Sequence, residues 1–222
     1  MAVQFRNIAP WPLWILLAVS SPALCQGFDS DEDGPALSRW AFTTSLGVSS
    51  WDALQDLDPE AGGGFNSVGW NIDFGAHRGV THWGPAEVLL GADFGLFGTE
   101  GDIPALRGDF TQRGLYLTPS AKFRYGERAR TYLDLELGIG WYKVDIVELN
   151  CSSYGCSDYN EPFDSDELGA YVGVTAGLGP WFIVGLRAHM ADFGEVSGLG
   201  ADAGKLTGPI YTLNIGAAWG GG

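Results

Sequence analysis

The sequence predicts an all-β fold, an eight-stranded antiparallel up-and-down transmembrane β-barrel over residues 40–219. Three observations predict it. Eight stretches alternate apolar and polar side chains with a period of two, the period of a strand with two unlike faces. The connections between them alternate in length, long at one end of the sheet and short at the other. Aromatic side chains (Trp40, Trp70, Tyr125, Trp141, Phe182, Trp219) stand at the ends of the stretches, where the rims of an apolar belt would fall.

The elements follow in chain order. Residues 1–25 read as a cleaved export signal: Arg6 supplies the positive region, Trp11 to Val19 the apolar core, and Ser20 to Cys25 the small residues for cleavage. Ala23 and Cys25 suit the −3/−1 positions, with Ser21 and Ala23 as a second choice. Residues 26–39 form an acidic leader. Within it Asp29-Ser-Asp31-Glu-Asp33-Gly34 matches the start of a calcium loop, but the twelfth position is Trp40 where a bidentate Glu is required, so the segment reads as solvated and no metal is assigned.

The first strand presents Trp40, Phe42, Leu46 and Val48 on one face. The second presents Val68, Trp70, Ile72 and Phe74, and the third Val88, Leu90, Phe94 and Leu96. The fourth presents Leu115, Leu117, Phe123 and Tyr125, and the fifth Leu133, Leu135, Leu137, Ile139 and Trp141. The sixth presents Leu168, Val172, Val174 and Leu178, the seventh Phe182, Val184, Leu186 and Met190. The eighth carries Tyr211, Leu213, Ile215, Ala217 and Trp219, and Gly220–Gly222 form a tail. Long connections are expected at 52–66, 98–113, 147–167 and 192–208, short ones at 77–84, 126–130 and Gly179-Pro180. The long ones carry an acidic excess and the short ones a basic one.

The opposite faces are rich in glycine and hold charges of both signs. The expected lumen network is Asp73, Glu87, Asp93, Lys122, Arg124, Asp134, Glu136, Arg187 and His189. Period-two alternation fits two closed barrels: a soluble one with the apolar face inside, and a membrane-spanning one with that face against lipid. The even strand count, the two unlike ends, the aromatic rims and the mutually neutralising charges on the polar faces favour the membrane form.

Composition excludes several classes. The formal net charge of −15 argues against a nucleic-acid partner, since phosphate binding needs a basic surface. The chain is too apolar and aromatic for disorder. No apolar run reaches the length of a membrane-spanning helix. Cys151 and Cys156, the two cysteines beyond the signal, form a closely spaced pair in an exported chain and suggest a disulfide; metal-ligand spacing is absent.

No complete catalytic set emerges. His77 and His82 are expected in or near a short turn and His189 on the polar face, hydrogen-bonded to carboxylates in the lumen. The lumen charges read either as a packed polar core or as a narrow pore gated by switchable ion pairs; eight strands enclose only enough room for side chains, which favours the core. The acidic residues of 147–167 (Glu148, Asp158, Glu161, Asp164, Asp166, Glu167) read as a solvated, negatively charged surface.

The final strand and the segment GLRAHMADFGEV (Gly185 to Val196) resemble the small outer-membrane barrels of Gram-negative bacteria, the OmpA-like and opacity-protein-like group. Asp192-Phe193-Gly194 match that group's turn after the seventh strand; Ala188 and Met190 stand where it carries aromatics. The resemblance implies that Tyr211, Leu213, Ile215, Ala217 and Trp219 serve as an assembly signal. It implies an outer-membrane location and, as partners, outer-membrane lipid and lipopolysaccharide, the barrel-assembly machinery, periplasmic chaperones, and a host or phage surface ligand. Some barrels of this size modify lipid A, but around His189 the sequence reads His-Met-Ala-Asp, without the expected serine and asparagine. The expected function is therefore non-enzymatic, without cofactor: structural, adhesive or surface-recognition. The alternative is a narrow channel.

Overall fold

The structure, a computed structural model, describes residues 37, 40–57, 64–65, 67–103, 108–127, 130–152, 155–196 and 205–220. The signal segment, the leader apart from Leu37, and Gly221–Gly222 lie outside them. The chain forms β1 (Ala41–Ser50), a two-residue β2 (Gly64–Phe65), β3 (Val68–Trp83), β4 (Ala86–Ile103), β5 (Gly108–Glu127), β6 (Thr131–Ser152), β7 (Gly155–Leu178), β8 (Phe182–Met190) and β9 (Pro209–Gly220). A 3-10 helix, Asp52–Leu57, follows β1.

The eight long strands form a closed ring. Each pairs antiparallel with its sequence neighbour, and β9 returns to pair with β1, Ala41 opposite Gly220 and Ser50 opposite Tyr211. β2 adds only to the far end of β4. Closure gives the ring's backbone N–H and C=O groups inter-strand partners, the condition for a sheet to cross hydrocarbon.

The faces settle which barrel this is. Leu46, Ile72, Leu135, Ile139, Leu168, Leu186, Leu213 and Ile215 are exposed on the outside, while Asp73, Asp93, Lys122, Arg124, Asp134, Glu136 and Arg187 are buried within. The apolar side faces out, so the soluble alternative is excluded. On β6 the outward apolar run spans Leu133–Trp141, within the roughly nine to eleven residues that carry a tilted strand across a bilayer. Trp40, Trp83, Tyr125, Trp181 and Trp219 ring the short-turn end and Trp70 and Tyr211 lie toward the loop end, all exposed.

Several expected connections prove to be strand. β4 and β5 continue to Ile103 and from Gly108, and β6 and β7 continue to Ser152 and from Gly155, so most of 98–113 and 147–167 is paired sheet. The reason is a change of phase above Trp141. There the inward side chains become apolar (Tyr142, Val144 and Ile146, all at 0% exposure) and the outward ones polar (Lys143, Asp145). Alternation persists with its faces exchanged, as it must where a barrel leaves lipid for water. At the other end β3 runs through 77–83 to a two-residue turn, with a bulge between Gly79 and Thr81, so His77 lies within a strand and not in a turn. Strands of 18 to 24 residues on β4–β7 against 9 to 12 on β8, β9 and β1 make one side of the loop end a raised wall.

Candidate functional site

The lumen is filled in layers, beginning at the short-turn end. Arg124 on β5 grips Asp134 on β6 with two parallel bonds, Nε to Oδ1 at 2.8 Å and Nη2 to Oδ2 at 2.7 Å. Its guanidinium lies 4.2 Å over the Tyr132 ring. The strand register causes this pair, since Arg124 and Asp134 are directly opposed. Fork-to-fork pairing of this kind is among the strong charge-assisted contacts. Glu87, opposite Arg124 on β4, is only half-buried and sits at the rim of the network.

The next layer is built around Arg187 of β8. Its Nε donates to Glu136 Oε2 at 2.8 Å, Nη2 to Asp93 Oδ1 at 3.2 Å, and Nη1 to Asp73 Oδ1 at 3.4 Å and the Tyr116 hydroxyl at 3.2 Å. Lys122 bridges Glu136 at 3.2 Å and Asp93 at 3.6 Å. Asp93 also accepts from Ser120 Oγ at 2.6 Å and the Tyr171 hydroxyl at 2.5 Å. Asp73 accepts from Tyr116, from Asn71 at 2.8 Å and from Asn214. Carboxylates stripped of water are held by donors from most of the barrel's strands, the condition under which buried ion pairs are tolerated.

Above lies an aromatic floor. The partner of His189 is a tyrosine and not the expected carboxylate, because Arg187 takes Asp73, Asp93 and Glu136: His189 Nδ1 is 3.0 Å from the Tyr142 hydroxyl, and its ring packs on Tyr116 and Tyr171 at centroid distances of 4.7 and 5.4 Å. These tyrosines fit because the neighbouring strand offers glycine: a Cβ on Gly95 would stand 2.3 Å from the Tyr116 ring, and one on Gly138 2.3 Å from the Tyr171 ring. An apolar cap closes the loop end. Phe97, Phe110, Val144, Ile146 and Phe163 line its walls; Trp51 and Leu54 descend from the β1–β3 connection, and Phe193, Val196 and Leu206 from the β8–β9 connection. Trp51 meets Phe193 edge-on at 5.6 Å. Below the cap, a cavity of about 10 Å³ lined by Thr43, Lys122, Asp134, Thr175, Arg187 and Asn214 has room for about one water.

His77, Ser120 and Asp93 meet in the network, a trio the sequence reading did not assemble. His77 Nε2 lies 2.7 Å from Ser120 Oγ and 3.3 Å from Asp93 Oδ2, and Ser120 donates to the same carboxylate. A nucleophilic triad needs the serine on one imidazole nitrogen and the acid on the other. Here both sit on Nε2 in a buried cluster, which is structural geometry. Tyr116, Tyr142, Tyr171, Asn71, Asn214 and the apolar cap were also missed.

Outside, above the lipid-facing band, Arg113 pairs with Asp145 at 3.2 Å and Lys143 with Asp164 at 2.8 Å, while Trp141 Nε1 donates to Asp166 at 3.2 Å. Asp164, Asp166 and Glu167 are exposed. Asp192 and Gly194 keep the expected turn: Gly194 has φ +80 and its N–H donates to Asp192 Oδ1 at 3.1 Å. The side chains of Cys151 and Cys156, like those of Asp158 and Glu161, lie outside the described ones, but the backbone register sets Cys151 opposite Cys156. Tyr211, Leu213, Ile215 and Trp219 of the expected assembly signal face outward on β9.

Fold and lumen together define a closed, membrane-spanning β-barrel with a filled interior. No family model matches the sequence, and no curated protein matches it. Among solved structures, Ail, the attachment invasion locus protein of Yersinia pestis, in complex with the heparin analogue sucrose octasulfate, is 13% identical. That match covers 82% of this chain and 99% of that one, with a TM-score of 0.45. Neisserial surface protein A is 14% identical over 83% of this chain and 98% of that one, with a TM-score of 0.46. OprG of Pseudomonas aeruginosa is 13% identical over 82% and 97%, with a TM-score of 0.41. These are loose likenesses.

Proposed function

We propose that the chain is a non-enzymatic outer-membrane barrel that works through its loop-end surface and not through its lumen, in a structural, adhesive or recognition role. The observation that carries this reading is the filled interior: ion pairs, then stacked rings, then an apolar cap occupy the axis in turn. Outer-membrane lipid and lipopolysaccharide surround the belt. The assembly machinery and periplasmic chaperones deliver the chain, and the raised wall meets a host or phage surface ligand. The exposed Asp166 and Glu167 suit a cationic partner better than a sulfated one such as the Ail ligand.

The test is conductance of the detergent-folded, heat-modifiable protein in a planar bilayer. A silent bilayer with insertion confirmed is expected. Discrete cation-preferring steps would overturn the reading in favour of a narrow channel. That second reading has one observation behind it: Arg187 is shared among three carboxylates and has alternative partners to swing between.

A further inference from the structure

The β6–β7 hairpin is the longest in the barrel, with strands of 22 and 24 residues, and it changes register on the way up. From Thr131↔Leu178 to Ile146↔Phe163 the pairing keeps one offset. It shifts by one residue at Glu148↔Asn160 and again at Leu149↔Asp158, and Asn150↔Ser157, Cys151↔Cys156 and Ser152↔Gly155 keep the new offset. The additional residues lie on β7, in the stretch that holds Pro162. Proline has no N–H to donate and within sheets is confined to edges and bulges. The two one-residue shifts together move the pairing by two residues, the period of the side-chain alternation.

Among the described residues, no third strand pairs with that tip. β5 accompanies β6 only as far as Leu149, opposite Asp109, and β8 pairs with β7 only from Ala170 onward. Beyond Leu149 the described strands form a two-stranded ribbon, which is marginally stable in water by itself. If the tip kept the lower offset, Cys151 would stand opposite Asp158.

We propose that Cys151 and Cys156 are joined by a disulfide that pins the register of this ribbon above its bulges. Directly opposed residues of an antiparallel pair have Cα atoms about 4.5–5.5 Å apart, inside the window of about 4.4–6.8 Å that a disulfide requires. The two thiols lose two protons and two electrons as the S–S bond forms. A donor disulfide, of a protein or a small thiol, takes these up and is cleaved to two thiols. The proposal rests on the reading that the chain is exported, since a reducing compartment would keep both thiols free.

The test uses the full exported protein isolated from the outer membrane and alkylated under denaturing conditions, with and without prior reduction, then cleaved into fragments and weighed by mass spectrometry. In the fragments that carry Cys151 and Cys156, no alkylation before reduction and alkylation of both cysteines after it are expected. Alkylation of Cys151 and Cys156 without reduction, on protein recovered from the outer membrane, would overturn the disulfide and leave the membrane reading standing. Recovery from the cytoplasm alone would overturn both. For the pinning role, amide exchange compares wild type with the Cys151→Ser/Cys156→Ser variant, and with wild type reduced after insertion so that folding of the variant is not at issue. Exchange about tenfold faster or more at the tip, with the lower part of the hairpin unchanged, is expected. Equal exchange at the tip in both comparisons would overturn it.

Discussion

Replacing Gly95 with alanine tests how tightly the lumen is filled. A Cβ there would stand 2.3 Å from Cε1 and 2.4 Å from Cζ of Tyr116, and 2.6 Å from Asp73 Oδ1. The Tyr116 ring cannot withdraw freely, since it stacks on Tyr142 at 5.4 Å and packs at a tilt against His189 at 4.7 Å. Overpacking of this kind costs about 1–3 kcal/mol. Displacing the Tyr116 hydroxyl from the Asp73 carboxylate adds the loss of a hydrogen bond to a charged group, about 1.5–3 kcal/mol. With partial relaxation the sum is about 3 kcal/mol, roughly a hundredfold in the unfolding equilibrium at about 1.4 kcal/mol per decade. The assay is urea unfolding in lipid vesicles, followed by tryptophan fluorescence and by the heat-modifiable shift in electrophoretic mobility. Gly185→Ala is the reference, because its Cβ would meet Thr175 Oγ1 at 2.9 Å and nothing else nearer than 3.9 Å. If both variants unfold at the same urea concentration, cross-strand ring-over-glycine packing does not hold the lumen closed and the reasoning fails.

Asp93→Asn removes the carboxylate that faces Arg187, Lys122 and His77 together, and is expected to cost about 3–5 kcal/mol by leaving buried cations under-compensated. Lys143→Ala, which breaks an exposed pair, is expected to cost no more than about 1 kcal/mol in the same urea assay. Asp192 is solvent-exposed, and hydrogen bonds from Lys205 Nζ and the Gly194 N–H hold its carboxyl below the ordinary carboxylate value. A depressed folded-state pKa adds stability that is present above the unfolded pKa of about 3.9 and is lost as pH falls through the lower folded value. Amide exchange at Phe193 and Leu206 is therefore expected to quicken only in strong acid, and in Asp192→Asn to lose that pH dependence.

Period-two alternation carried most of the fold, because lipid outside and charge inside make the two faces of each strand as unlike as they can be. The strand limits were harder to see. Tyr142, Val144 and Ile146 alternate with Lys143 and Asp145 as regularly as Leu133 to Trp141 do with their neighbours, but with the faces exchanged. A search for outward apolar residues stops where the exchange begins, so the raised wall read as loop. His77 was misplaced for a related reason: β3 runs past it through a bulge at Gly79–Thr81, and bulges leave little trace in a pattern. The charged members of the lumen network were legible one at a time as polar-face residues. Their partners were not, because Arg187 reaches Asp73 and Asp93 across the lumen by ring closure. Tyr116 and Tyr171 gained roles only once the register set Gly95 and Gly138 beside them.

The exchange of faces at Trp141 also divides the molecule by temperature response. Below it the outward apolar side chains remain in lipid whatever the conformation of the lumen, so loosening the ion pairs wets little new apolar surface. Above it Trp51, Phe97, Phe110, Phe163 and Phe193 are hidden from water by the protein alone. Opening the cap therefore carries the positive heat capacity of a water-soluble core. Cooling weakens that core, so the loop end of this barrel is the part that cold loosens first.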